Sequence, residues 1–109
     1  LLSLHLYIPF PDSTLEEKII ISRVPELDKK LRIQLVSFVQ NLRELDLKKV
    51  PSVSETIDWG KSMVLLNIKT LDPEIVRETL NLLLKFQSDI DAADSEIEAL
   101  IRVSAQGIK

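Results

Sequence analysis

The sequence predicts an all-α protein, a small bundle of four to five helices preceded by one short β-segment. The chain has 109 residues, the length of one small domain. It contains only 2 glycines and 5 prolines, fewer than the many turns of an all-β protein need. Hydrophobic residues make up 45% of the chain and charged residues 28%, a balance typical of folded proteins. In most of the chain the apolar residues recur at helical spacing.

The β-segment is predicted over residues 4–8, where apolar side chains alternate with His5 and Tyr7. Pro9 and Pro11 then end any ladder, because proline has no amide hydrogen to donate. The sequence shows no second strand to pair with this one. A single unpaired strand is unusual in a helical protein, and it is a first indication that part of the protein lies upstream of residue 1.

The first two helices are separated by a proline. Helix 1 is predicted over residues 13–22, where Ser13 and Glu16 have the spacing of a capping box. Pro25 is expected to end helix 1 and to open helix 2, which is predicted over residues 25–45. Helix 2 carries an apolar stripe at helical spacing, formed by Leu27, Leu31, Leu35, Val36, Phe38, Val39 and Leu42.

The third helix is predicted over residues 53–66, with Ser52 and Glu55 as a second capping box. Gly60 is expected to let another helix approach closely, since it has no Cβ. The only tryptophan of the chain, Trp59, is expected to anchor packing in the core or against a neighbouring domain.

Two further helices complete the predicted bundle. Helix 4 begins with Asp72 as its N-cap and Pro73 at its first position. It is expected to fade near residues 88–91, after which helix 5 covers residues 92–105 and stops at Gly107.

Composition excludes several classes of function. Cysteine is absent, so neither a disulfide framework nor a thiolate metal site is possible. The net charge is −3 and the basic residues are mixed with acidic ones, which disfavours nucleic-acid binding. No stretch approaches the roughly 20 apolar residues that span a bilayer. His5, the only histidine, has no second ligand or base near it in the sequence. We therefore expect no catalytic and no metal-binding residue in this chain.

Several segments, taken in order, carry a family resemblance. Residues 6–12 join a hydrophobic strand to a Phe-Pro turn, and residues 51–59 (PSVSETIDW) are the most distinctive piece. Shorter matching pieces lie at residues 23–27, 38–43, 71–74 and 83–90. This succession resembles the C-terminal lid domain of MoxR-like AAA+ ATPases, in particular of the CoxD-like branch, over about residues 4–90. Helix 5 lies outside the resemblance.

The resemblance implies a division of the chain and a function for the intact parent protein. Residues 1–12 would be the remnant of the last core strand and a hinge, and residues 13–109 the helical lid. The parent would bind ATP and Mg²⁺ between core and lid, and hydrolysis would rotate the lid within a ring of subunits. The implied partners are its own AAA+ core, the neighbouring subunits and a client protein to be remodelled in the cytoplasm. The fragment itself would be inactive, since it has no Gly-x-x-x-x-Gly-Lys-Ser/Thr motif.

Family lids carry a sensor-2 arginine at the start of the third helix, where its guanidinium reaches the γ-phosphate. The matching turn here has no arginine, and its candidates for nucleotide binding are Ser52 and Ser54. The helix N-terminus, or Lys48 or Lys49, could also replace the arginine. A capping box for Ser52 and Glu55 and a solvated turn for Lys48 and Lys49 are the simpler explanations of these residues, and Ser52 could have both roles.

Two other functional classes stay open at this stage. A free-standing helical module could bind a partner helix in its apolar grooves, and an open reading frame that begins near residue 1 would favour it. A DNA-binding domain is disfavoured, because no compact basic recognition helix is present.

Overall fold

The computed structural model describes residues 10–106, so the β-segment predicted over residues 4–8 lies outside the described part of the chain. Six α-helices follow one another within the described residues. They are α1 (Ser13–Arg23), α2 (Lys29–Leu42), α3 (Val53–Leu65), α4 (Pro73–Thr79), α5 (Gln87–Asp94) and α6 (Ile97–Gln106), with a 3₁₀ helix at Leu80–Leu82. The predicted all-α bundle is confirmed, although it contains six helices instead of four or five. Between residues 10 and 106, no helix is both long and apolar enough to cross a membrane.

Helix α2 lies at the centre of the bundle, and α1, α3 and α6 all pack against it. The stripe predicted from the sequence is buried as a whole, comprising Leu27, Leu31, Leu35, Val36, Phe38, Val39 and Leu42. Full burial of one such side chain contributes roughly 1.5–3 kcal/mol. The apolar surface of α2 is therefore a large part of what holds the other helices together.

Trp59 of α3 is completely buried. It therefore belongs to the core, which is one of the two roles predicted for it. Its ring lies 5.3 Å from that of Phe38, centroid to centroid, in a tilted arrangement. Its indole N–H donates to the hydroxyl of Thr79 at 2.8 Å, and that hydroxyl donates in turn to the carbonyl of Ile75. The Trp59 side chain thus ties α3 to α2 by packing and to α4 by a hydrogen bond.

Helix α1 begins at Ser13 as predicted, whereas α2 begins at Lys29, four residues after its predicted start. Asp12, not Ser13, caps α1, because its carboxylate accepts from the backbone N–H of Leu15 at 2.9 Å and its charge suits a helix N-terminus. Pro25 lies in a turn and does not open α2. That turn buries Leu27, and Asp28 then caps α2. The predicted capping box of Ser13 and Glu16 is therefore wrong.

Helix α3 agrees with its prediction except at Gly60. A Cβ at this position would lie 3.6 Å from side-chain carbons of Leu27 and Val24, an ordinary contact distance. An alanine would therefore fit at position 60, and the close approach predicted for Gly60 is not observed. The helix ends with Asn67 in the left-handed conformation at φ 58°, while the N–H of Ile68 bonds to the carbonyl of Met63, as in a Schellman motif.

The C-terminal third departs most from the prediction. Asp72 and Pro73 begin α4 as expected, but α4 ends at Thr79 and the chain unwinds after the 3₁₀ helix. The successive side chains of Leu83 and Leu84 are both buried in this unwound stretch. Helix α5 forms where helix 4 was predicted to fade, and a turn separates it from α6. Helix α6 packs against α2 and α4, so the last helix belongs to the bundle.

The hydrogen bond between Trp59 and Thr79 can be tested by removing its acceptor. Thr79→Val keeps the shape of the side chain but leaves the buried indole N–H unpaired. We expect it to lower the free energy of unfolding by about 1–3 kcal/mol. Thr79→Ser keeps the hydroxyl and should lose less. Urea denaturation followed by the fluorescence of the single tryptophan measures both variants, and equal losses would contradict this role of the hydroxyl.

Candidate functional site

The resemblance assigns nucleotide contact to the start of α3, at residues 52–55. We call the turn before it, residues 46–52 between α2 and α3, the α3 turn. Ser52 ends it as the N-cap of α3, and the predicted capping box with Glu55 is confirmed. The backbone N–H of Ser52 donates to Glu55 Oε1 at 2.6 Å, and the Ser52 hydroxyl donates to the same oxygen at 2.9 Å. Ser54 is exposed in the first turn of α3. The two predicted binding serines thus differ, since only the hydroxyl of Ser52 is engaged by a neighbour.

Asp89 of α5 holds the α3 turn from the far end of the chain. Its carboxylate accepts from the backbone N–H groups of Lys48 and Lys49, at 2.8 Å and 3.1 Å. Asp89 is only 3% exposed. Asp89 is therefore a buried residue that supports the turn, whereas Asp91 and Asp94 of the same helix are exposed. Its two partners are 41 and 40 residues away, so no local sequence signal points to them.

Arg43, directly after α2, holds the same turn from the other side. Its Nε donates to the carbonyl of Pro51 at 2.8 Å. Its two terminal nitrogens donate to the two carboxylate oxygens of Glu16 at 2.8 Å and 2.7 Å, a bidentate pair. A longer contact reaches the hydroxyl of Thr56 in α3. The Glu16 side chain is fully buried and that of Arg43 is 6% exposed, so this is an ion pair of the interior.

The point where the chain enters the bundle belongs to the same cluster. The guanidinium of Arg43 lies 4.8 Å from the ring centroid of Phe10. The side-chain amide of Gln40 donates to the carbonyl of Pro11 at 3.1 Å and to Glu16 at 2.6 Å. We call these residues, together with Glu16, the Arg43 cluster. It connects residues 10–12 to the α3 turn through buried side chains.

Two exposed lysines flank the start of α3. The ammonium groups of Lys49 and Lys85 lie 4.0 Å and 3.6 Å from Glu55 Oε2, and both side chains are about half exposed. Lys85 was not among the predicted candidates, because it lies far from the turn in sequence. Lys48 points elsewhere, with its ammonium group 5.5 Å from the ring centroid of Phe86.

The charge state of Glu55 follows from these neighbours. Burial disfavours its carboxylate, but the backbone and hydroxyl hydrogen bonds from Ser52 outweigh that effect, with help from Lys49 and Lys85. The pKa of Glu55 therefore lies below its ordinary value of 4.5. Two ammonium groups beside a helix N-terminus favour a bound anion. Among residues 10–106, no group of histidine and acidic side chains is arranged to hold a metal ion.

The buried pair of Glu16 and Arg43 predicts a large asymmetry between single and double replacement. Arg43→Met leaves a buried carboxylate without its cation, so we expect a loss of about 3–5 kcal/mol in the free energy of unfolding. Glu16→Leu combined with Arg43→Met removes both charges and should recover much of that loss. Chemical denaturation of the two single variants and the double variant measures the coupling.

A more exposed ion pair on the same two helices provides the control. Arg32 and Glu17 join α2 to α1 at 3.2 Å, with side chains 15% and 31% exposed. Arg32→Met should cost about 1 kcal/mol or less. Equal losses for Arg43→Met and Arg32→Met would contradict the importance given to the buried pair.

The lowered pKa of Glu55 predicts a pH-dependent contribution to stability. Since the folded state favours the ionised carboxylate, this contribution is complete above the ordinary value of 4.5 and is lost as the pH falls through the lower folded value. Glu55→Gln should therefore be less stable than the unmodified chain near neutral pH, and the difference should shrink below pH 4.5. Glu78→Gln, at an exposed position of α4, is the control. A difference that does not change with pH would contradict the assignment.

Comparisons with known proteins leave the family of the chain open. No protein-family model matches it, and neither a curated protein nor a solved structure does.

Proposed function

We propose that this chain is the C-terminal lid domain of a MoxR-like AAA+ ATPase of the CoxD-like branch. In this proposal an α/β core precedes residue 1 and binds ATP with Mg²⁺. The lid couples binding and hydrolysis to the remodelling of a client protein in the cytoplasm. The ordered segments over about residues 4–90 and the all-α bundle support the proposal.

The main support for the proposal is that Arg43 contacts both Phe10, where the chain enters the bundle, and the α3 turn, which precedes the predicted nucleotide contact. It lies over the Phe10 ring and donates to the carbonyl of Pro51. A lid that reports the nucleotide state must transmit a small displacement at the nucleotide to the direction in which the chain leaves the core. Buried, hydrogen-bonded side chains can do so, because packed interiors resist deformation.

The missing sensor-2 arginine has two candidate replacements in this proposal. Lys49 and Lys85 present ammonium groups beside the first turn of α3, and their side chains are about half exposed. A lysine neutralises phosphate as a point charge, without the bidentate geometry of arginine. We therefore expect these lysines to strengthen nucleotide binding, while the Ser54 hydroxyl offers a further hydrogen bond at the same surface.

The bending point of the lid follows from the contacts of the entry segment. Asp12 caps α1, and the carbonyl of Pro11 accepts from Gln40, so both residues are attached to the bundle. The sequence predicted a hinge that extends to Asp12. In the proposed mechanism Pro11 and Asp12 therefore rotate with the bundle as one body.

The proposal is tested in the parent protein, with the core joined to this chain. Deletion of residues 10–109 should abolish most ATP turnover and ring assembly, because the lid closes the nucleotide site. Replacement of Lys49 and Lys85 together by alanine should raise the KM for ATP severalfold. Lys29→Ala with Lys30→Ala, two exposed lysines at the start of α2, should leave KM unchanged. Unchanged turnover and assembly after the deletion would defeat the proposal.

A free-standing interaction module is the second candidate function. A groove of about 410 Å³ runs between α1 and α2 and could accept a partner helix. Its lining combines the apolar side chains of Ile33 and Val36 with the polar side chains of Ser37 and Asn41. The gene separates the two candidates, because a phosphate-binding motif upstream of residue 1 would eliminate this one.

A further inference from the structure

Two successive leucines at the end of α3 are exposed to solvent. Leu65 is 84% exposed and Leu66 is 56% exposed. Single exposed apolar residues are common, but adjacent ones beside an apolar depression indicate an interaction surface. Such a depression, of about 330 Å³, lies next to Leu65 and is walled by Val24, Pro25 and Val64. We call Leu65 and this groove the Leu65 face.

Charges of both signs surround the Leu65 face. Arg23, Glu26 and Lys61 also line the groove, and all three are exposed. Among the described residues, none of the three has an ion-pair partner. An apolar centre with a rim of exposed charges has the composition of a protein–protein interface.

We propose that the Leu65 face binds the same face of a second copy of this chain about a two-fold axis. A two-fold interface requires one surface that complements itself. Here a projecting leucine and a groove able to receive it lie side by side, so each copy can insert its Leu65 into the groove of the other. The rim is complementary in the same way, since Glu26 of one copy can pair with Lys61 of the other.

The charges around the Leu65 face favour a second copy of this chain over a different binding partner. An acidic partner would satisfy Arg23 and Lys61 but would be repelled by Glu26, and a basic partner would meet the opposite conflict. The area is small beside the roughly 1,200–2,000 Å² of a stable interface, so the association should be weak and reversible. This inference does not depend on the proposed ATPase function.

Sedimentation equilibrium of the 109-residue chain over a concentration series tests the proposal. The unmodified chain should show a monomer–dimer equilibrium, and Leu65→Glu should weaken it at least tenfold. Leu15→Glu is the matched control, because Leu15 is 51% exposed but lies in the first turn of α1, at the other end of that helix from Arg23. At concentrations where the unmodified chain is monomeric, both variants should keep its thermal midpoint, since neither side chain is buried.

A charge exchange tests the two-fold pairing itself. Glu26→Lys or Lys61→Glu alone should weaken the dimer severalfold, and the two changes together should restore it, because the pair then re-forms with reversed signs. A chain that stays monomeric throughout the series would overturn the proposal and leave the Leu65 face to another partner. Dimerisation that survives Leu65→Glu, or that the double exchange does not restore, would overturn it equally.

Discussion

The interior ion pair between Glu16 and Arg43 is the interaction on which the arrangement of the N-terminal half depends. The apolar stripe of α2 supplies most of the attraction, but apolar contacts alone tolerate many orientations. The bidentate pair has one geometry, and its remaining donors and acceptors are filled by Gln40, Thr56 and the carbonyl of Pro51. A buried pair of this kind adds little net stability. It penalises any packing that separates the two charges, because each would then be buried alone.

The α3 turn is held by two anchors from opposite parts of the chain. Arg43 binds the carbonyl of Pro51, and Asp89 binds the backbone amides of Lys48 and Lys49. Because Asp89 belongs to α5, the C-terminal helices are needed to fix a turn formed long before them in sequence. The family resemblance ends near residue 90, yet α6 packs on α2 with Ile97 completely buried. The segment outside the resemblance is therefore part of the structure that supports the candidate site.

Local patterns predicted some of these features and could not predict others. The α2 stripe, the Ser52–Glu55 capping box and the Asp72–Pro73 helix start are each encoded within a few residues, and all agree with the structure. The N-cap of α1 was misassigned because Asp12 and Ser13 are adjacent and both are good capping residues. The α4–α5 boundary was missed because an unwound stretch that buries Leu83 and Leu84 has the same composition as a helix.

The Arg43 cluster and the contacts of Asp89 with the α3 turn were not predicted, for a different reason. Glu16 and Arg43 are 27 residues apart. The sequence suggested a capping box for Glu16, and Arg43 resembles any other charged residue on a solvated helix face. A charged residue that will be buried has no distinct local signature, since its partner is supplied by the tertiary fold. Lys85 was missed in the same way, because only the packing brings it beside Glu55. The site was thus predictable as a turn with a capping box, but not as a cluster.

The distribution of burial among the basic residues decides which of them can meet a ligand at the α3 turn. Arg43 contacts the α3 turn through the carbonyl of Pro51, and its charge would suit a phosphate. Glu16, Thr56 and the carbonyl of Pro51 already occupy its donors, so turning it toward a nucleotide would leave the Glu16 carboxylate buried without its cation. Lys49 and Lys85 are exposed, and their only described ion-pair partner is Glu55, at the outer limit of ion-pair distance. Arg43 therefore fixes the shape of the turn, and any charge offered to an anion there comes from the lysines.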